Sequence, residues 1–242
     1  MNNVILYGTI SVLPLIFGAL IGAKLRVKEK VIGVVSAFGA GALIAALTFG
    51  LMEESFKLGG FDNSITGFLL GGIFFVIGEL FIIRAGGRGH KRSYVVKSTT
   101  GYGIVLGAVL DGLPESIALG ISLLLNPKIG FLVLLAIIFS NLPEALSSAY
   151  DLKRNNKSFK SIILTWVFVA LAGLICVILG YTVFSNFSSS VTATFEAIAA
   201  GGILAMLATT MMPEAYKESG IDASLATVLG FLLIFILSKA SI

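Results

Sequence analysis

The chain alternates long apolar runs with short polar stretches, and this pattern predicts membrane-spanning helices. Most runs approach or exceed the roughly 20 apolar residues that a helix needs to cross a bilayer. We therefore predict an all-α fold, a polytopic membrane bundle of eight transmembrane helices that forms one domain over residues 1–242. The predicted helices lie near residues 4–24, 31–56, 64–84, 99–125, 129–151, 161–184, 191–217 and 222–239.

Composition agrees with this interpretation and indicates an orientation. Hydrophobic residues make up 57% of the chain, and its mean hydropathy of +1.00 lies far above that of soluble proteins. The net charge of +4 would suggest a nucleic-acid partner in a soluble protein. Here the Lys and Arg residues concentrate in alternate loops, which is an orientation signal, so we predict no nucleic-acid partner. We place the basic loop 85–98 in the cytoplasm and both termini outside.

Two similar segments place carboxylates inside apolar helices. A charged side chain at membrane depth costs several kcal/mol unless a cation, a partner or water compensates it, so such residues indicate an ion or proton pathway. The proline in each segment also removes a helical hydrogen bond from the carbonyl of Leu110 or Phe139, one turn earlier. The segments are residues 111–115, Asp-Gly-Leu-Pro-Glu, and residues 140–144, Ser-Asn-Leu-Pro-Glu.

The spacing within each segment brings its polar side chains to one face of the helix. Asp111 and Glu115 are four residues apart, as are Ser140 and Glu144. If the two helices face each other, three carboxylates and a hydroxyl converge, and a bound cation would relieve their repulsion. In the alternative, the two glutamates are protonated and only form hydrogen bonds between helices. The candidate metal ligands are Asp111, Glu115, Ser140, Asn141 and Glu144.

An internal repeat links the second and seventh predicted helices. Five spans separate these helices, so the two copies run in opposite directions, as in the inverted repeats of transporter folds. This arrangement places Glu54 near the outer mouth of a pathway and Glu214 near the inner mouth. Met52 and Met212 are weaker candidates at the same mouths, because methionine in an apolar helix usually serves packing. A shift of 160 residues matches Gly41 with Gly201, Met52 with Met212, Glu54 with Glu214, Lys57 with Lys217, and Gly60 with Gly220.

The two Leu-Pro-Glu segments, the inverted 3+2+3 arrangement and the outside termini together resemble the ZIP family (Zrt- and Irt-like proteins) of divalent metal transporters. In that family the fourth and fifth helices carry motifs close to His-Asn-x-Pro-Glu-Gly and His-Asp-x-Pro-Glu-Gly, which line a binuclear metal centre. Pro114 with Glu115 and Pro143 with Glu144 match these motifs, and residues 212–214 look like an acidic segment of bacterial members. The resemblance implies a plasma-membrane importer of divalent metal that works by alternating access. It also implies a homodimer, because relatives form one.

The departures from the family motifs change the expected metal chemistry. Asp111 and Ser140 stand where the family has histidines, Gly112 replaces its asparagine, and Asn141 replaces its aspartate. A site of oxygen ligands favours manganese or ferrous iron relative to zinc, although carboxylates also bind zinc. The sixth predicted helix carries no acid within residues 161–185, so we expect one main metal site.

Two further hypotheses stay open at this point. In the first alternative, the protein is a metal-binding membrane sensor that transports nothing. In the second, it is a proton-coupled carrier of an organic cation. We predict neither an enzyme nor a prosthetic group, because the single histidine, His90, lies in the basic loop and cannot join a hydrolytic triad. Metal flux in proteoliposomes separates these hypotheses from a metal transporter.

Overall fold

A computed structural model of the chain describes residues 2–84 and 101–240. The regular structure in these ranges is entirely helical, and it forms seven continuous helical runs that are long and apolar enough to cross a membrane. The predicted all-α, polytopic architecture is confirmed at this level. The predicted basic loop 85–98 and the predicted start of a helix at residue 99 lie outside the described residues.

Nine α-helices and two π-helical turns make up the described structure. One π-helical turn joins α2 to α3, and the other joins α7 to α8. The helices are α1 (Asn2–Lys24), α2 (Glu29–Ala46), α3 (Glu53–Arg84), α4 (Gly101–Leu125), α5 (Pro127–Arg154), α6 (Phe159–Phe184), α7 (Ser189–Met206), α8 (Met212–Ser219) and α9 (Asp222–Ala240), and the π-helical turns are Leu47–Met52 and Leu207–Met211.

Capping residues explain where three of these helices begin. The side chain of Asn126 accepts a hydrogen bond from the Lys128 backbone N–H at 3.2 Å, and Pro127 occupies the first turn of α5. Ser158 and Ser188 cap α6 and α7 in the same way. Each of these helices starts two residues before the apolar run from which it was predicted, because the cap and the first turn are polar or basic.

The helical run Glu29–Arg84 is interrupted at Gly60. This glycine has φ 78° and ψ −178°, a backbone conformation that ends a helix and that glycine adopts without a steric penalty. The run has 56 residues, and at 1.5 Å per residue it is roughly 80 Å long, more than twice the hydrocarbon thickness of a bilayer. Its length therefore suffices for two crossings with a break at Gly60.

The local backbone geometry of this run recurs 160 residues later. The π-helical turns begin at Leu47 and at Leu207. Gly60 and Gly220 both have positive φ, at 78° and 62°. The two sequence segments that match at this shift thus share an irregular helical turn and a helix break at equivalent positions.

The helices pack into two bundles. The first consists of α1, α4, α5 and α6. In the second, α3 packs against α7, and α2 packs against α8 and α9. The π-helical turn Leu47–Met52 joins these two groups, because it contacts α2, α7 and α9. Glycines allow close packing within the second bundle: a Cβ on Gly41 would collide with the Thr227 carbonyl oxygen, and one on Gly230 with the Phe38 oxygen. The bundles meet where α2 packs on α5 and α4 packs on α7.

Large apolar side chains cover the outer surface of the molecule. Phe81 on α3, Leu164 on α6 and Leu225 on α9 are each about two thirds exposed, at 68%, 66% and 65%. Most buried polar and charged side chains lie instead on faces that contact other helices. This distribution is the one expected of a protein surrounded by lipid, since lipid cannot satisfy polar groups.

Candidate functional site

A small cavity lies between the two bundles, and we refer to it as the interface cavity. Its volume is about 20 Å³, enough for one water molecule or one ion. Both bundles contribute to its wall, so relative movement of the bundles would change its shape. It is lined by Ser36, Asp111, Glu115, Ser140, Glu144, Met206, Thr210, Met211 and Glu214.

Four of the five predicted ligands line the interface cavity. Asp111, Glu115 and Ser140 are 5%, 3% and 2% exposed, and Glu144 is half-buried. The Ser140 hydroxyl lies within hydrogen-bonding distance of both Glu115 oxygens, at 3.4 Å and 3.2 Å, and of the Ile137 carbonyl, at 3.1 Å. Its single proton is shared among these acceptors, so Ser140 stabilises the Glu115 carboxylate only in part.

Electrostatic interaction connects the carboxylates of this cavity. Glu115 interacts with Glu144 and with Asp111. Like charges at short range in a desolvated site repel strongly, and a cation between them relieves that repulsion. The two Pro-Glu segments are therefore brought together by the fold, on the facing helices α4 and α5.

The fifth predicted ligand, Asn141, lies in an adjoining cavity and not in the interface cavity. This second cavity, which we call the Asn141 cavity, has a volume of about 20 Å³ and also includes Glu115 and Glu144 in its wall. The Asn141 amide donates a hydrogen bond to the Ser11 carbonyl of α1 at 2.8 Å, which fixes its orientation. Helix α6 contributes only Val169, Ala172 and Gly173 to this wall.

The backbone carbonyl of Phe139, which Pro143 deprives of its helical donor, is covered by α2. A Cβ added to Gly39 would come within 2.6 Å of the Phe139 oxygen and within 3.0 Å of the Met211 side chain. The absence of a side chain at Gly39 thus lets α2 approach α5 at this carbonyl. The carbonyl oxygen of Phe139 therefore lies against the neighbouring helix α2.

A larger cavity surrounds Glu54, and we call it the Glu54 cavity. Its volume is about 210 Å³, and its wall mixes acids with three lysines. Glu54 is 8% exposed and accepts a hydrogen bond from the Asn126 amide at 3.5 Å. Glu53 forms an ion pair with Lys57 at 2.8 Å. The Glu54 cavity is lined by Phe49, Glu53, Glu54, Lys57, Asn126, Lys128, Ile129, Leu132, Ser238 and Lys239.

Of the four residues proposed for the mouths of a pathway, the two glutamates line cavities and the two methionines do not. Glu54 lines the cavity named after it, and Glu214 lines the interface cavity. Met52 packs against the apolar core, and Met212 is 39% exposed, outside both cavities. The thioethers that line the interface cavity belong to other methionines, at positions 206 and 211.

The sequence interpretation missed one buried carboxylate. Glu196 on α7 is 0% exposed and accepts a hydrogen bond from the Ser122 hydroxyl of α4 at 2.8 Å. An isolated acid within an apolar helix is itself the signal that could have identified it. The interpretation also missed Ser36 and Thr210, because hydroxyl residues are common in membrane helices and carry little signal alone.

In this conformation the interface cavity is not a complete metal-coordination site. Within residues 2–84 and 101–240, no three His, Cys, Asp or Glu side chains converge closely enough to hold a metal ion as they stand. Its four carboxylates come from both bundles, on α4, α5 and α8. Binding a cation there requires rotation of these side chains or a small shift between the bundles.

These features define a polytopic membrane protein with an acidic cavity between two helix bundles. The family model described as ZIP Zinc transporter matches residues 82–238, which is more than half of the chain and includes both Pro-Glu segments. The chain therefore belongs to the ZIP zinc transporter family, whose members carry metal ions across membranes and are not enzymes. The resemblance noted in the sequence is confirmed. A search of curated proteins found no match.

Proposed function

We propose that this protein is a plasma-membrane importer of divalent transition-metal ions, with Asp111, Glu115, Ser140 and Glu144 as ligands of the ion in transit. The observation that carries this proposal is that these four side chains, from two separate Pro-Glu segments, line one buried cavity between two helix bundles. Asn141 lies one cavity away and supplies a neutral amide beside Glu115 and Glu144. The direction of transport follows the family resemblance.

Transport proceeds by alternating access. In this scheme the bundle of α1, α4, α5 and α6 moves against the other bundle and opens the interface cavity to each side in turn. Glu214, in the cavity wall, receives the ion towards the inner side, and Glu54 gathers ions at the outer side. The largest contacts between bundles, α2 with α5 and α4 with α7, are surfaces that must slide or separate.

We further propose eight membrane crossings in an inverted 3+2+3 arrangement with both termini outside. The run Glu29–Arg84 then crosses twice and turns at Gly60, and the chain of α7, its π-helical turn and α8 crosses once. The recurrence of a π-helical turn and a positive-φ glycine after 160 residues supports a common origin of the two segments. Single cysteines introduced at loop positions test this topology, because a membrane-impermeant reagent labels only those that face the outside.

The cargo is a divalent metal ion such as zinc, manganese or ferrous iron. The side-chain oxygens of the interface cavity suit manganese and ferrous iron, and its carboxylates also suit zinc. Two methionine thioethers in the wall add a softer ligand type.

Metal uptake into proteoliposomes tests the proposal directly. Purified protein is reconstituted, and the initial rate of uptake of zinc and manganese is measured for the wild type and for Glu115→Gln. We expect the substitution to lower uptake at least about 100-fold, because it removes the charge of a ligand carboxylate while keeping its size. Glu79→Gln on α3 is the matched control. Glu79 is also an acid in a membrane helix, but it lines none of the three cavities, and we expect this variant to transport normally.

The outcomes distinguish the proposal from its alternatives. Wild-type protein that binds metal but moves none supports a sensor without transport and contradicts the proposal. Uptake of an organic cation that metals do not inhibit supports the carrier hypothesis.

We also propose a homodimer, as in relatives, and the mass of the protein–detergent complex by light scattering tests this assembly.

A further inference from the structure

The end of helix α4 and the residue that follows it carry a second pair of polar residues beyond the interface cavity. Ser122 and Asn126 continue the face that begins with Asp111 and Glu115, since the successive spacings of four, seven and four residues all return to one side of a helix. Ser122 is 0% exposed. It lies roughly 10 Å along the helix from Glu115, at 1.5 Å per residue, and Asn126 lies one turn further on. The polar face of α4 therefore has polar residues at both the interface cavity and the Glu54 cavity, with the buried Ala118 and Leu119 between them.

Both residues of this second pair form hydrogen bonds with carboxylates of the other bundle. The Ser122 hydroxyl donates to Glu196 Oε1 at 2.8 Å, and the Asn126 amide donates to Glu54 Oε1 at 3.5 Å. Glu196 and Glu54 are also close enough to interact electrostatically. Two acids of the second bundle thus lie beside Ser122 and Asn126, where the bundles meet.

The Glu196 carboxylate is only half satisfied. The residue is 0% exposed, and its Oε2 atom has no hydrogen-bond partner in the part of the chain that the structure describes. A buried polar atom without a partner is costly and uncommon, so its retention calls for an explanation. A glutamine could form the same bond with Ser122, and it would not bring an acid close to Glu54. A hydrogen bond between helices alone therefore does not account for a carboxylate at this position.

We propose that Glu196 is a cation-binding carboxylate, an intermediate station for a divalent metal ion between the Glu54 cavity and the interface cavity. The inference rests on the proposed function, because it assumes that ions pass along the polar face of α4. In the conformation described here, Ser122 covers the station while α4 packs against α7. When the bundles separate on this side, the bond to Ser122 breaks and Glu196 meets the arriving ion with both oxygens. Glu54, which is close enough to interact electrostatically with Glu196, then adds negative charge beside the bound ion.

Transport kinetics of four proteins distinguish a station from a structural contact. Uptake of manganese into proteoliposomes is measured against metal concentration for the wild type, Glu196→Gln, Glu196→Asp and Ser122→Ala. We expect Glu196→Gln to raise the half-saturating concentration about tenfold, as when a group that supports metal binding is lost, and Glu196→Asp to recover part of this loss. Ser122→Ala keeps the carboxylate and should leave the half-saturating concentration within about twofold of the wild-type value. A purely structural bond predicts the reverse, with Glu196→Gln close to wild type and Ser122→Ala impaired.

A measurement that does not depend on transport tests the station separately. In the Glu115→Gln variant, which weakens the interface cavity, Glu196 is labelled with a hydrophobic carbodiimide, and the labelled peptide is quantified by mass spectrometry at increasing manganese concentrations. We expect labelling of Glu196 to decrease as metal occupies its carboxylate, and we expect no label at position 196 when Glu196→Gln is added. A Glu196 that is not labelled, or whose labelling metal does not reduce, contradicts the station. If the wild type moves no metal, the proposed function fails and this experiment still decides whether Glu196 binds a cation.

Discussion

Glu115 and Glu53 are two carboxylates whose surroundings differ in kind. Glu115 is 3% exposed in the interface cavity, and it accepts a hydrogen bond from the neutral hydroxyl of Ser140. Glu53 borders the Glu54 cavity, with a side chain that is 40% exposed, and Lys57 pairs with it at 2.8 Å. The first carboxylate is thus buried beside other acids, and the second is solvated beside a lysine of its own helix.

The difference shows which cavity is suited to an ion from solution. An exposed ion pair four residues apart on a helix contributes little free energy and provides its own counter-charge. A buried cluster of carboxylates is costly until a cation joins it, so the free energy of cation binding is largest there. We therefore expect the interface cavity to determine metal binding, and the Glu54 cavity to influence how fast ions arrive.

The largest effect should come from replacing Glu144 in the interface cavity by glutamine, and the same replacement of Glu54 in the Glu54 cavity provides the comparison. We expect Glu144→Gln to lower metal uptake at least about 100-fold at all metal concentrations. Glu54→Gln should change uptake only about threefold, and mainly at low ionic strength, because it acts by attracting ions over a distance. Initial rates of uptake, measured at two salt concentrations, test the pair. Equal losses in the two variants would remove the distinction between the cavities.

A smaller effect should follow from restoring an imidazole to the interface cavity. Asp111 occupies the position at which the family motif has a histidine. We expect Asp111→His to raise the preference for zinc over manganese on the order of tenfold, because imidazole suits zinc better than a carboxylate ligand does. Competition between the two metals for uptake measures this ratio. Asp111→Asn is the control, since it changes the charge equally without adding a nitrogen ligand, and an identical shift in both variants would contradict the explanation.

The smallest effect concerns how closely the bundles meet at the interface cavity. Gly39→Ala adds a Cβ against the Phe139 carbonyl, and we expect it to destabilise this packing by about 1–3 kcal/mol and to lower the melting temperature. A Cβ on Gly112 meets no atom within 4 Å, so Gly112→Ala should be neutral or stabilise the helix by up to about 1 kcal/mol. Thermal unfolding in detergent measures both variants. A Gly39→Ala protein as stable as the wild type would show that α2 and α5 do not need this contact.

Much of this architecture could be predicted from the sequence, because a bilayer restricts a chain to few solutions. Apolar runs of spanning length predicted the helices, and the capped starts at Asn126, Ser158 and Ser188 moved their boundaries by only two residues. The spacing of Asp111 and Glu115 on one helix face predicted their shared cavity, since helical periodicity is a local property.

The remaining features depend on which helices contact each other, and no local pattern contains that information. Asn141 is adjacent to Ser140 in sequence but faces another cavity, where its amide binds the Ser11 carbonyl of α1. Glu196 acquires its significance only from Ser122, which is 74 residues away. The prediction ended one helix near residue 56 and began the next near residue 64, but it could not show that the single residue Gly60 makes the break, because a glycine in the sequence does not reveal a positive φ.

A metal-bound structure with an anomalous scattering map tests the central claim most directly. The protein is prepared with zinc or manganese, and data are recorded at the absorption edge of that metal. The account predicts a peak in the interface cavity, between α4 and α5, within coordination distance of Glu115 and Glu144. A peak that touches neither glutamate would contradict the assignment of this cavity as the metal site.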